Sequence, residues 1–373
     1  MNHSNKKVGS DKLKILCISA HTAPTQGFGG PAVVFRTFLN FLLDEGGEFV
    51  SLSTTDKNTY SEREGESKNV FFRSCFLFKY GLSVHLLLHM ACIQHKFRYF
   101  AINGLSNFPV FFASLLALFL NKKVILFTHG GLDETRTADW FILKRLLYQL
   151  NILILRHLDI RNNLLVVYQS KDEQSNSSFN PSRPIICANY PESFFNKKSR
   201  KDYTKLSILY VGRFSVEKGS HRLIKLLDFY KGLTRKSRDT ITLVIASEDT
   251  IKELESYQEI EGISIVYNLS WHQLSELLDK SNVLYFPSIT ENFGNSLVEG
   301  VAYGLVPCIY HDTHWSVLLE KDSAISEPVL RELLGSDDID KSDLLEMSAR
   351  VQDVVVSEFI RNKDMSQILD FVK

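Results

Sequence analysis

The sequence predicts an α/β protein built as two successive doubly wound units. Short, almost continuous apolar runs of the kind buried in parallel sheets alternate with longer helical patterns. That alternation stops in a polar, basic stretch, "YPESFFNKKSRKDYTK" (190–205), and then restarts. With 373 residues, 44% hydrophobic and 23% charged, the chain is long enough for two cores and ordinary in composition.

The elements follow in order. After a polar lead, "LKILCIS" reads as a buried strand, followed by the loop "AHTAPTQGFGGPA" and a helical pattern, "VVFRTFLNFLLDEGG", that stops at glycines. "FVSLST" is a second strand. From about Thr55 to Lys122 the pattern blurs; "KFRYFAIN" reads as a strand and 108–120 as a buried helix too short to span a bilayer. "KKVILFTHG", "NNLLVVYQS" and "RPIICAN" complete the first set of strands. "LSILYVG", "TITLVIAS", "ISIVYN", "NVLYFPS" and "LVPCIYH" form the second, with "HRLIKLLDFYKGL" and "WHQLSELLDK" as helices between them. This rhythm gives a first domain over 1–195, a second over 196–350 and a helical tail, 351–373, that packs back on the first. Open α/β sheets bind ligands at the C-terminal ends of their strands, so a crevice between the domains is expected.

Lysine plus arginine balances aspartate plus glutamate, 43 each, so nothing pulls the chain toward nucleic acid. Cys17, Cys75, Cys92, Cys187 and Cys308 are scattered without a CxxC pair and read as buried free thiols in a reducing compartment. The polar N-terminus has no apolar core of a signal peptide, and a cytoplasmic location is expected.

Chemistry is expected in the loops that follow strands. In "VGRFSVEKGSHRLI", Arg213 leaves the strand and Lys218 opens the next helix; a guanidinium and an ammonium at a helix N-terminus suit a diphosphate. The alternative is a solvated basic pair beside Glu217. In "GFGGP", Gly29 and Gly30 allow close backbone approach to a ligand, or simply make a tight turn, and the spacing is not a dinucleotide fingerprint. His129, in "FTHGGLDE", stands at a strand end where it is either structural or ligand-facing. "PSITENFGNSLVEGVAYG" (287–304) puts Glu291 in a loop and Glu299 one turn into the next helix. A helix N-terminus flanked by carboxylates can hold phosphate and sugar hydroxyls together. No His/Cys cluster suggests a metal, and Asp337–Asp338 reads as surface charge.

Together these segments resemble the retaining glycosyltransferases of family 4, which have the GT-B fold. "PSITENFGNSLVEGVAYGLVPCIYHDTHW" is similar to that family's E-x7-E region and "LYVGRFSVEKG" to its Arg-Lys loop. "GFGGPA" and "THGG" stand in the places of its first-domain glycine loop and histidine, and "PIICANY" resembles the segment that ends that domain, with Tyr190 where a glycine is usual. The resemblance implies a nucleotide-sugar donor, UDP- or GDP-linked, and no metal or other cofactor. Glu299 would bind the ribose hydroxyls and Glu291 the transferred sugar. The backbone N–H groups of Phe293, Gly294 and Asn295 would face the sugar and phosphates, with Gly29 and Gly30 also on the donor. Arg213 and Lys218 would neutralise the leaving diphosphate, and His129 would bind the sugar or assist the transition state. Configuration would be retained by front-face attack, with Glu291 not a nucleophile.

"VIASE" departs from the glycine-rich strand end typical of the family, and Trp271 either stacks on the base or packs ordinarily. "THW" at Thr313–Trp315 resembles the Thr-Pro-Trp of bacterial surface-polysaccharide members, pointing to O-antigen, capsule or lipopolysaccharide synthesis on a glycan acceptor. The 140–161 stretch, apolar with interspersed Lys144, Arg145, Arg156 and Arg161, reads either as a core helix with a charged edge or as a membrane-surface helix suited to a lipid-linked acceptor. The second of these would hold the protein at the inner face of the cytoplasmic membrane. Two other readings stay in view: a non-catalytic scaffold of the same fold, and a nucleotide-sugar epimerase.

Overall fold

The computed structural model describes residues 13–19, 30–55, 60–64, 67–73, 83–105, 108–129, 131–132, 142–190, 192–195, 201–233, 239–247, 251–291, 293–335, 342–360 and 365–372. Gly29 and Asp337–Asp338 lie outside the described residues. The chain divides into two compact units, Met1–Tyr190 with Lys363–Lys373, and Pro191–Asn362.

The first unit is built on eight strands: β1 (Lys14–Ser19), β2 (Glu48–Thr55), β3 (Tyr60–Glu64), β4 (Ser67–Arg73), β5 (Tyr99–Asn103), β6 (Lys123–Phe127), β7 (Leu164–Tyr168) and β8 (Pro184–Ile186). They lie in the order β3-β4-β2-β1-β5-β6-β7-β8. All pairings are parallel except the antiparallel β3–β4 edge. Side chains alternate across the central strands, as a period of two requires. On one face Leu16, Ile18, Phe100, Ile102, Val124, Leu126 and Val166 join a core that includes Leu86 and Met90 of α2 (Val84–Ile93). Val110 and Ala113 of α3 (Phe108–Phe119) and Leu155 and Leu158 of α4 (Ile142–Ile160) share that core. On the other face Ile15, Cys17, Ala101, Ile125, Phe127 and Val167 pack with Phe35 and Phe38 of α1 (Gly30–Asp44) and with Ile368 and Phe371 of the helix Ser366–Val372. Helices on both faces explain why these strands read as unbroken apolar runs. A short α5 (Lys171–Ser175) follows β7, capped by Ser170, whose hydroxyl accepts from the Glu173 N–H at 3.1 Å.

The second unit carries β9 (Ser207–Gly212), β10 (Thr240–Ile245), β11 (Ile263–Tyr267), β12 (Val283–Phe286) and β13 (Val306–Ile309). All are parallel, in the order β11-β10-β9-β12-β13. Its helices are α6 (Ser220–Lys231), α7 (Lys252–Glu255), α8 (Trp271–Lys280), α9 (Asn295–Ala302), α10 (Val317–Glu320), α11 (Glu327–Gly335) and α12 (Ser342–Val355). α6 and α11 cover the face carrying Ile208, Tyr210, Ile241, Leu243, Val283 and Tyr285. α9 lies against β12 so closely that a Cβ on Gly300 would stand 2.9 Å from Leu284 Cδ2. The tail expected over 351–373 is split: α12 runs on through Ile360 within the second unit, and only the chain from Lys363 belongs to the first.

Of the thiols expected to be buried, Cys17, Cys187 and Cys308 are, but Cys92 is exposed on α2, whose buried positions are Leu86 and Met90. Among the described residues no helix is long and apolar enough to cross a membrane.

Candidate active site

In the second unit, β9 and β12 are neighbours whose connections run to opposite sides of the sheet order, which opens a crevice at their C-terminal ends. Two loops meet there. After β9 the chain passes Arg213, makes a 3-10 turn over Val216–Lys218 and enters α6 through Gly219 at φ 73°. After β12 it passes Pro287, Ser288 and Glu291 before α9. The Ile289 N–H donates to the Glu217 carbonyl at 2.9 Å, and Arg222 Nη1 donates to the Pro287 carbonyl at 3.2 Å. Gly219 is pressed on Pro287 so tightly that any Cβ would collide with its carbonyl oxygen, and its left-handed φ also calls for glycine.

This junction brings together two residues 73 apart in sequence. Lys218 Nζ lies 2.5 Å from Glu291 Oε1, and the Ser288 hydroxyl donates to the same oxygen at 2.7 Å. The Glu291 side chain is only 6% exposed, enclosed with the ammonium against it. Arg213 goes elsewhere: its guanidinium is exposed and stands 3.5 Å from Glu217 Oε2, the solvated pairing that is one of its two sequence readings. Its carbonyl accepts from the Tyr210 hydroxyl at 2.8 Å. Burial, with Glu291's charge adding to it, pushes the Tyr210 pKa well up, which keeps that hydroxyl a donor.

α9 starts at Gly294, φ 83°, where a Cβ would stand 2.6 Å from the Trp315 indole nitrogen. Trp315, fully buried, donates from Nε1 to the Phe293 carbonyl at 2.7 Å and meets the Phe293 ring edge-on at 6.0 Å. It stacks in turn on Phe359 at 4.1 Å. The Thr313–Trp315 stretch therefore builds the support under the turn that starts α9. A glycine N-cap has no side chain to offer, so α9's first turn depends on other acceptors, the usual setting for an anion. Glu299 sits half-buried one turn in, on the helix that Gly300 presses against β12. Trp271 is 40% exposed at the start of α8, beside a capping box of Ser270 and Gln273.

In the first unit Gly30 is the first residue of α1, and His129 follows β6. His129 is held between amides: its Nε2 bonds Asn103 Oδ1, and Gln169 Nε2 lies 2.5 Å from its Nδ1. Burial lowers its pKa to about 3, so the ring is neutral across the physiological range.

Ser288, Arg222, Asn103 and Gln169 were not singled out in the sequence. Ser288 and Arg222 lie within the same sequence segments as Glu291 and Lys218, and that placement is the available signal. Among the described residues no cluster of three His, Cys, Asp or Glu side chains could hold a metal ion.

Residues 192–317, which contain both loops, match the family Glycosyl transferases group 1. No curated protein sequence matches the chain. Among solved structures it is similar to sucrose-phosphate synthase from Thermosynechococcus elongatus: 15% identity, TM-score 0.71, covering 96% of this chain and 98% of that one. WaaG, a glycosyltransferase involved in lipopolysaccharide biosynthesis, aligns with 15% identity and TM-score 0.65 over 97% and 100% of the two chains. An E. coli trehalose-6-phosphate protein bound with UDP-2-fluoro glucose gives 14% identity and TM-score 0.65 over 96% and 99%. The chain thus has the GT-B fold, and its residues 192–317 match the group 1 glycosyl transferases.

Proposed function

We propose that the protein is a retaining hexosyltransferase that moves a sugar from a nucleotide-sugar to a glycan acceptor. The observation that carries this is the Lys218–Glu291–Ser288 cluster at the switch point of the second sheet, beside the N-terminus of α9. A donor placed there would draw Lys218 to its diphosphate and leave the Glu291 carboxylate for sugar hydroxyls. Charge held ready for a departing diphosphate is usually the largest catalytic contribution. Arg213, loosely paired and exposed, is free to turn to the same phosphates at little cost. Glu299 takes the ribose, where a carboxylate can accept from two hydroxyls. Glu291 is read as holding sugar hydroxyls rather than attacking the anomeric carbon, so retention is proposed to proceed by front-face attack without a covalent intermediate. The transfer is read as metal-independent, with UDP- or GDP-sugars as donors.

The acceptor is proposed to be lipid-linked, in O-antigen, capsule or lipopolysaccharide synthesis at the inner face of the cytoplasmic membrane. Support comes from α4, whose outer face is apolar. Ile142, Leu146, Leu150, Leu153 and Ile160 are 40–81% exposed, and exposed Phe119 ends α3 with exposed Leu120 after it. Arg145, Arg156 and Arg161 are exposed with them, whereas Asp159 is engaged by Ser182. An apolar stripe edged by arginines suits an anionic lipid surface.

The test is release of free nucleoside diphosphate from a panel of UDP- and GDP-hexoses, with and without EDTA. Slow, EDTA-insensitive release that falls about a hundredfold in Lys218→Ala is expected. No release from any donor, or full activity in Lys218→Ala, would overturn the reading.

A further inference from the structure

The C-terminal end of the first sheet holds a chain of hydrogen bonds that the second unit's cluster does not use. Ser19, Asn103, His129 and Gln169 end or follow β1, β5, β6 and β7, four neighbouring strands. Asn103 Nδ2 donates to Ser19 Oγ at 3.1 Å, which turns Oδ1 toward His129 Nε2. On the other side Gln169 presents its NH2 to His129 Nδ1. An amide nitrogen only donates and an amide oxygen only accepts, so in this arrangement Nδ1 is the acceptor and Nε2 carries the proton.

The chain is anchored beyond the amides. The Gln169 backbone N–H donates to Glu173 Oε2 at 2.7 Å, and Thr128 Oγ1 donates to Glu173 Oε1 at 2.7 Å. Of the two acids on α5, Asp172 is exposed, while Glu173 is buried with both its oxygens engaged. His129 itself has φ 49°, a conformation non-glycine residues adopt only when their surroundings fix it. Backbone, ring and both ring nitrogens are thus determined together.

We propose that Asn103 and Gln169 are positioning residues that hold His129 as a neutral imidazole with its proton on Nε2. This rests on the glycosyltransfer reading, in which His129 serves the transferred sugar. The Nε2–H is then donated to Asn103 Oδ1, and a sugar hydroxyl would share that fixed proton with the amide oxygen. A neutral donor also adds no positive charge beside an oxocarbenium-like centre, where an imidazolium would raise the barrier.

The experiment is two-bond ¹⁵N–¹H correlation on the full chain with labelled histidine, the His129 signals being those lost in His129→Gln. The Nε2–H pattern is expected, unchanged from neutral pH down to about pH 5. Gln169→Glu puts an acceptor against Nδ1 while Asn103 Oδ1 still faces Nε2, so the signals should move to the imidazolium pattern, protonated on both nitrogens. Turnover should then fall at least about tenfold while nucleoside diphosphate affinity stays within about twofold. An Nδ1–H tautomer or an imidazolium in the unaltered protein would overturn the proposal, as would a Gln169→Glu spectrum identical to it. The spectrum needs no substrate, so inertness toward every donor alongside the Nε2–H pattern would sink the transferase reading alone.

Discussion

Glu291 and Glu299 are eight positions apart in sequence, yet the structure gives them different surroundings. Glu291 is nearly enclosed and paired with Lys218, whereas Glu299 is half-buried on α9. Their loss should therefore differ in kind. Glu299→Ala is expected to weaken both nucleotide-sugar and free nucleoside diphosphate by roughly ten- to a hundredfold, the scale of a hydrogen bond to a charged group. Glu291→Gln keeps the shape but removes the charge, and should lower turnover with little change in diphosphate affinity. Calorimetric titration of each variant beside a turnover assay separates the two. Equal losses of diphosphate affinity would mean that the assignment of ribose and sugar is wrong.

At the scale of elements, the site depends on two loops being locked together, and Gly219 is where they touch. Gly219→Ala has to accept a left-handed backbone and push Pro287 away, so a loss of about 2 kcal/mol or more is expected, with Lys218 displaced from Glu291. A thermal melt and a turnover assay check this; an unchanged midpoint with unchanged rate would show that the loops are not coupled as described. The second unit's strands could be read from sequence to within a residue or two, because strands covered on both faces are unbroken apolar runs. The β3–β4 edge could not: "YSERE" and "SKNVFFR" are polar where an edge meets solvent, and edge strands resemble loops. α2 hid for a related reason, since Val84 and Leu88 are apolar but exposed and mask the Leu86–Met90 spacing. The Arg213–Lys218 loop was legible as a unit, but its two cations take different partners. Only folding brings Lys218 to Glu291, and Asn103 and Gln169 to His129. The 140–161 helix was legible as amphipathic, but periodicity alone does not say that an apolar face stays outside.

That exposed face bears on the whole molecule. If α4 rests on anionic lipid, the full chain should float with phosphatidylglycerol-containing vesicles, less so as salt rises, and not with purely zwitterionic ones. Leu146→Glu with Leu153→Glu should abolish flotation while leaving release of nucleoside diphosphate intact. Flotation unaffected by those changes would assign the stripe to another partner. The division into units has a different consequence. The second unit is an insertion in the first: the chain leaves after Tyr190 and returns at Lys363. On return it supplies the helix Ser366–Val372, whose Ile368 and Phe371 fill one face of the first sheet, with Val372 accepting from the Tyr99 hydroxyl and Phe371 from Lys123. Domains made on the ribosome ordinarily finish in the order they are translated. Here the half made first must wait, one flank of its sheet open, until the whole of the other has been synthesised, and a chaperone that shields that flank would find its client during this interval.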